Sequence, residues 1–372
     1  MSRVAEPRAA TPDAAANLDP SAPGTHRTTT RSAATPDAAA NRTTTRDVAA
    51  PDAASSEPRV TADSASSALV THRVPTPDGW TLDVLDLPAA TPARAVVIAG
   101  HAMMVDRRTF RPGRPGLART LQQAGFRVLL PDLRGHGRSG PTPRRGGDWT
   151  YDQLVADTAV LLALARRLAP ALPIATLGHS LFGHTTLAHL AKHPDAPVAA
   201  HVALGMDVWV RANEPSPLAW LLKRGLVAAS APLADLAGCF PAARLGVGSM
   251  DEAAGYWTSI TRGARRGRWL GDDGLDYQAL LPRVRCPCLH VVSAGDRLLG
   301  RPASALNLTA SLRERTVWHL GTREHATPPA LQHLRPGHMA MLTGPGEPLW
   351  QAIADWLHGP SGLGLHASSP PA

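Results

Sequence analysis

Ser180 lies in LGHSLFG (177–183), between an apolar run and an amphipathic stretch. A Gly-x-Ser turn between a strand and a helix is close to the G-x-S-x-G nucleophile elbow. Such a turn needs small neighbours. It lifts the hydroxyl above the sheet, at a helix N-terminus that favours developing negative charge. A free serine is a weak nucleophile at neutral pH. It needs an imidazole to take its proton and a carboxylate to hold that imidazole in the useful tautomer. Other histidines and cysteines show no metal pattern. His184, His189 and His193 fall on one predicted helix at unequal spacing, with no HExxH, and read as surface or packing residues. Cys286 and Cys288 open a strand with no second ligand pair nearby. No metal and no cofactor are expected.

The elements that position this serine alternate. LVTHRVPT and TLDVLDLP read as strands around the turn PDGW. RAVVIAG (94–100) and FRVLLPD (126–132) are short apolar runs of the kind buried on both faces of a sheet, with a helix predicted at about 115–124 between them. YDQLVADTAVLLALARRLA (151–169) carries a helical apolar stripe closed by Pro170. PIATLGHS, PVAAHVALGM, CPCLHVVSAGD and RTVWHL read as further strands. SLFGHTTLAHLAKH and EPLWQAIADWLHG read as helices. This alternation predicts an α/β fold with a mostly parallel sheet flanked by helices. Residues 207–283 break it: they hold no convincing strand, four tryptophans (Trp209, Trp220, Trp257, Trp269) and apolar helical pieces. One crossover does not need that length, so an inserted helical cap is expected there.

From about residue 70 to 358 the chain resembles the α/β-hydrolase superfamily. The matching pieces, in order, are VVIAGHAMM (96–104), PDLRGHGRSG (131–140), GHSLFG (178–183), VVSAGDRLL (291–299) and RPGHMAML (335–342). The layout is similar to the monoacylglycerol-lipase and serine-aminopeptidase-like group, and the ending to predicted bacterial hydrolases of unknown substrate. The resemblance implies a Ser-acid-His triad in that chain order. Ser180 takes the nucleophile's position, Asp296 the acid's and His338 the general base's. The oxyanion hole falls to the backbone N–H groups of Met103 and Leu181. His325 and His333 share a loop with His338, and Asp207, at the end of LGMD, competes with Asp296, since some relatives carry the acid there. His179 reads as an orienting or packing residue, and Asp132 and His136 as scaffold of a loop near the pocket. Two positions depart from the family pattern. Phe182 stands where the elbow usually has Gly, and His101-Ala102 replaces the usual His-Gly beside the oxyanion loop.

Composition bounds the rest. All 9 Trp, 4 Phe and 3 Tyr lie beyond Gly79. Residues 1–69 are rich in Ala, Thr, Ser and Pro, and repeat ATPDAAAN (10–17, 34–41) and RTTTR (27–31, 42–46). Without large apolar residues such a segment cannot offset its chain entropy, so a disordered tail is expected. The expected organisation is that tail, a hydrolase core over 70–206 and 284–358, the cap over 207–283, and a second disordered tail over 359–372. The formal charge is +8, but nearly every basic residue is Arg, and the densest group is Arg262, Arg265, Arg266 and Arg268. One such group reads as a solvated face, so no nucleic-acid partner is expected. The chain has no apolar run long enough to span a bilayer, and MSRVAEPRAATPDAAAN lacks the apolar core of a signal peptide. The three cysteines are too few for a disulfide framework. The expectation is a cytoplasmic serine hydrolase with no stable membrane insertion. It would act on a small-molecule or lipid-like ester with a hydrophobic acyl group. The alternatives are an acyltransferase using the same acyl-enzyme, or a non-catalytic ligand-binding member.

Overall fold

The computed structural model describes residues 69–344 and 346–365. The expected N-terminal tail, up to residue 68, lies outside the described residues. Eight strands form one sheet: β1 (Val70–Pro75), β2 (Thr81–Leu87), β3 (Ala95–Gly100), β4 (Phe126–Pro131), β5 (Ile174–His179), β6 (Ala200–Leu204), β7 (Cys288–Ser293) and β8 (Arg315–Leu320). Their order across the sheet is β1-β2-β4-β3-β5-β6-β7-β8. The first two strands pair antiparallel, as do β2 and β4. From β4 to β8 every neighbour is parallel. Every residue of β3, β5, β6 and β7 is buried, as continuous apolar runs between two helical layers require.

The connecting helices are α1 (Leu117–Gln123), α2 (Tyr151–Leu168) and α3 (Leu181–Lys192). Thr150 and Gln153 close a capping box at the start of α2. The α2/α3 side holds one apolar core and the α1/C-terminal side another. Between β6 and β7 comes the insertion, with α4 (Pro217–Ala237) and α5 (Ala254–Arg266) as its main helices. Gly238 and Gly267 end them in the left-handed conformation. The insertion also contains a two-stranded ribbon, Cys239–Phe240 against Glu252–Ala253, too short to carry a strand signature in sequence. Two of its four tryptophans are buried in packing roles. Trp257 stacks on Phe240 at 3.8 Å, and the Trp269 indole N–H donates to the Tyr151 hydroxyl at 3.1 Å. Helix α6 (Pro302–Leu308) lies between β7 and β8, and α7 (Glu347–His358) follows β8.

The chain does not leave the body at residue 358. Residues 359–362 turn back, the Leu363 N–H donates to Leu357 O at 2.9 Å, and the Arg94 guanidinium donates to Leu365 O at 2.7 Å. Leu363 and Leu365 pack on the α7 side of the core, so residues 359–365 do not belong to the expected tail. Residues 366–372 lie outside the described residues. Among those described, no helix is long and apolar enough to cross a membrane.

Candidate active site

Ser180 is the hinge between β5 and α3, with φ 51° and ψ −106°. A residue with a Cβ holds such a conformation only when its surroundings impose it, at a cost of about 1–3 kcal/mol. Its N–H donates to Leu204 O at 2.9 Å on β6, and its C=O accepts the His184 N–H at 3.2 Å. The steep exit of α3 depends on a glycine pair: a Cβ on Gly178 would fall 2.2 Å from the Gly183 nitrogen. Phe182, the departure from the family pattern, does not break this turn. Its ring is 2 % exposed and lies over Gly100 at the end of β3, where a Cβ would meet it at 2.1 Å. The absence of a side chain at Gly100 makes the room that the usual glycine at 182 would otherwise provide.

His338 lies in the loop between β8 and α7, and Asp296 lies just past the end of β7. The structure brings them together: His338 Nδ1 is 2.6 Å from Asp296 Oδ2. A carboxylate only accepts, so Nδ1 carries the proton and Nε2 is the free basic nitrogen. Asp296 is itself held by the Leu299 N–H at 3.1 Å and the Gly300 N–H at 2.9 Å. The His338 ring rests on Gly205, which has φ +57°, and a Cβ there would lie 3.3 Å from Nδ1. His179, the residue before Ser180, sits with its ring centroid 4.9 Å from that of His338 and donates from Nε2 to the His338 carbonyl at 3.1 Å. Burial drives its pKa well below the ordinary histidine value, so it is a neutral buttress.

Asp207 goes elsewhere. It accepts from Lys223 Nζ on α4 at 2.8 Å and from the Ser304 hydroxyl at 2.8 Å. Lys223 also meets Glu214 at 3.1 Å, and Glu214 in turn pairs with Arg301. This buried network ties the insertion to the core. His333 is exposed, and His325 is on the hairpin after β8, bridged to Trp318. His325 shares that hairpin with His319 and Glu324, and their ligand-type atoms all lie within 4.8 Å of one another. Asp132 accepts backbone N–H bonds from Arg107 and Arg138 and so braces its own loop.

Met103 and Leu181 contribute backbone N–H groups that bond to nothing among the described residues. Leu181 opens α3, where the first N–H groups have no intrahelical acceptor. Below Met103, the His101 ring is locked. Its Nδ1 donates to Ala102 O at 2.7 Å, its Nε2 accepts the Leu133 N–H at 2.9 Å, and burial pushes its pKa down to about 3. Ala102 is accommodated at 2 % exposure. Sequence reasoning missed Glu252. Its carboxylate accepts the Met104 N–H at 2.6 Å from the far side of the loop.

Residues 91–236 match the family described as serine aminopeptidase, S33. A protein named magnesium-chelatase 30 kDa subunit, from Rhodobacter capsulatus, is 30% identical over 257 residues, covering 64% of this chain and 82% of that protein. A monoacylglycerol lipase of Mycolicibacterium smegmatis is 32% identical over 117 residues, 32% of this chain and 37% of the lipase. Among solved structures, an esterase from Exiguobacterium antarcticum superposes with a TM-score of 0.51 at 14% identity, covering 77% of this chain and 99% of the esterase. At that identity the likeness speaks to the fold.

Proposed function

Since the chain belongs to the α/β-hydrolase superfamily, we propose that it is a serine hydrolase. It cleaves a carboxylic ester with a hydrophobic acyl group, through an acyl-enzyme on Ser180. The observation that carries this reading is the 2.6 Å bond between Asp296 and His338, on the side of the sheet where Ser180 turns into α3. Asp296 keeps the proton on His338 Nδ1, which leaves Nε2 to take the Ser180 proton as Oγ attacks the carbonyl. The oxyanion accepts the N–H groups of Met103 and Leu181, and each such donor is worth about 10²–10³ in rate. The tetrahedral intermediate collapses, and His338 returns the proton to the leaving alcohol. Water, deprotonated by the same nitrogen, then attacks the acyl-enzyme, and His338 passes that proton to Ser180 Oγ as the acid leaves. The insertion covers the site as a cap.

Fluorophosphonate labelling and a panel of p-nitrophenyl esters of rising chain length test this. The wild type should be labelled and Ser180→Ala should not, with turnover falling about 10⁴-fold or more. Retention of a tenth of the activity by Ser180→Ala would remove that serine from the mechanism. Competing alcohol and amine acceptors separate hydrolysis from acyl transfer. A chain that binds without turnover, as a subunit of an assembly such as the one the Rhodobacter relative is named for, would stay unlabelled.

A further inference from the structure

Met104 follows Met103, the residue whose N–H is assigned above to the oxyanion, and its backbone is left-handed with φ 61°. A methionine does not adopt that conformation unless it is held. Most of the groups that hold it come from the insertion. The Ser249 and Met250 N–H groups both donate to the Met104 carbonyl, at 2.8 and 2.9 Å. Glu252 Oε1 accepts the Met104 N–H at 2.6 Å. Gly248 lies so close that a Cβ there would fall 2.4 Å from Met104 Cβ and 2.7 Å from its oxygen. Both polar groups of the Met104 backbone and its side-chain root are thus clasped by four residues of the segment 248–252.

The core answers with His136. Its Nδ1 donates to Arg134 O at 2.8 Å, and its Nε2 meets Glu252 Oε1 at 3.0 Å. Both side chains are fully buried, at 0 % exposure. A lone buried carboxylate is strongly disfavoured. A protonated His136 beside it makes the pair neutral as a unit. Glu252 raises the His136 pKa against the opposing effect of burial. Glu252 is therefore pinned from two sides, and its position fixes that of Met104.

We propose that residues 248–252, centred on Glu252, are the positioning device of the oxyanion loop: they hold Met104 left-handed and so aim the Met103 N–H. What the aimed N–H does rests on the ester-hydrolase reading; the clasp does not. The insertion then sets transition-state stabilisation as well as covering the site. A molecule in which it has lifted still holds its nucleophile but has lost an aimed donor.

Three variants test this: Glu252→Ala, Glu252→Gln and Gly248→Ala. In Glu252→Ala, amide hydrogen exchange in the peptide spanning 101–106 should accelerate. Its kcat should fall about 10- to 100-fold, short of the loss of a whole donor, with KM little changed. Affinity for a trifluoromethyl ketone, whose serine adduct carries the oxyanion, should weaken in parallel. Glu252→Gln keeps a carbonyl for the Met104 N–H but gives up the charge paired with His136, so it should fall between the wild type and Glu252→Ala. Gly248→Ala should reproduce the loss with the His136–Glu252 pair intact, and it decides the matter if Glu252→Ala does not fold. Unchanged exchange over 101–106 in a folded variant, or a KM effect without a kcat effect, overturns the proposal. A wild type that neither turns over esters nor reacts with a fluorophosphonate sinks the hydrolase reading instead, and the exchange result still decides the clasp.

Discussion

The contact between Gly100 and Phe182 can be tested by exchanging bulk across it. Gly100 is not among the left-handed glycines, so alanine there meets no backbone strain and only the space matters. That space is taken: the added Cβ would lie 2.1, 2.3 and 2.6 Å from three carbons of the Phe182 ring. Overpacking of this kind costs about 1–3 kcal/mol. The upper end is expected, because the ring belongs to the first turn of α3 and cannot swing away without moving Ser180. Phe182→Ala alone should cost about 3–5 kcal/mol, the usual loss for a buried ring. In the double variant the new methyl enters the vacated space, so Gly100→Ala should cost little or become stabilising. The cycle should close with a favourable coupling of about 1–3 kcal/mol. Urea unfolding of the four proteins measures it, and ester turnover of Gly100→Ala reports whether the elbow has moved. If Gly100→Ala costs the same in both backgrounds, the complementarity argued here is wrong.

Three further outcomes follow from the geometry. Asp296→Asn should lower kcat by up to ~10⁴, whereas Asp207→Asn should lower stability by about 3 kcal/mol with far less effect on kcat; the reverse pattern moves the acid one strand back. Gly205→Ala adds a Cβ 3.3 Å from His338 Nδ1 in a backbone of φ +57°, so kcat should drop about 10-fold or more with a smaller change in KM, a loss of transition-state rather than substrate binding. Burial pushes the pKa values of His101, His184 and His201 down to about 3 and that of His290 to about 4. Below pH ~6.5 the unfolded chain therefore binds protons that the folded chain refuses. Stability falls as pH drops, by about 2 kcal/mol per such histidine at pH 5. His136, with its pKa raised, acts in the opposite sense, and a melting temperature that stays flat between pH 7.5 and 5.5 would contradict this account.

The pieces of the candidate site could be read from the sequence because each is local. GHSLFG, SAGDRLL and the early GHAMM each follow an apolar run, and in a parallel sheet all such runs end on the same edge. The alternation of strand and helix was legible for the same reason: period and run length belong to short windows. What stayed hidden is pairwise and distant. Glu252 and Met104 are 148 residues apart, and a lone glutamate beside a two-residue strand has no periodicity to announce it. The partnership of Phe182 with Gly100 was likewise invisible. The phenylalanine read as an intruder because the space it fills belongs to a strand more than eighty residues earlier. The docking of residues 359–365 rests on two leucines among glycines, too few to outweigh a composition that reads as tail.

The basic residues number 38, yet only two are lysines, Lys192 and Lys223. Lys192 pairs with Asp273 at a third exposed, while Lys223 is 1 % exposed inside the Asp207–Glu214 cluster. That asymmetry makes the chain its own footprinting reagent. An amine acylating agent at neutral pH should modify Lys192 quickly. It should modify Lys223 only in molecules whose α4 has come away from the core. The ratio of the two modified peptides reads the fraction of time the insertion stands open, with Lys192 as the internal clock, and it needs no substrate to be identified first.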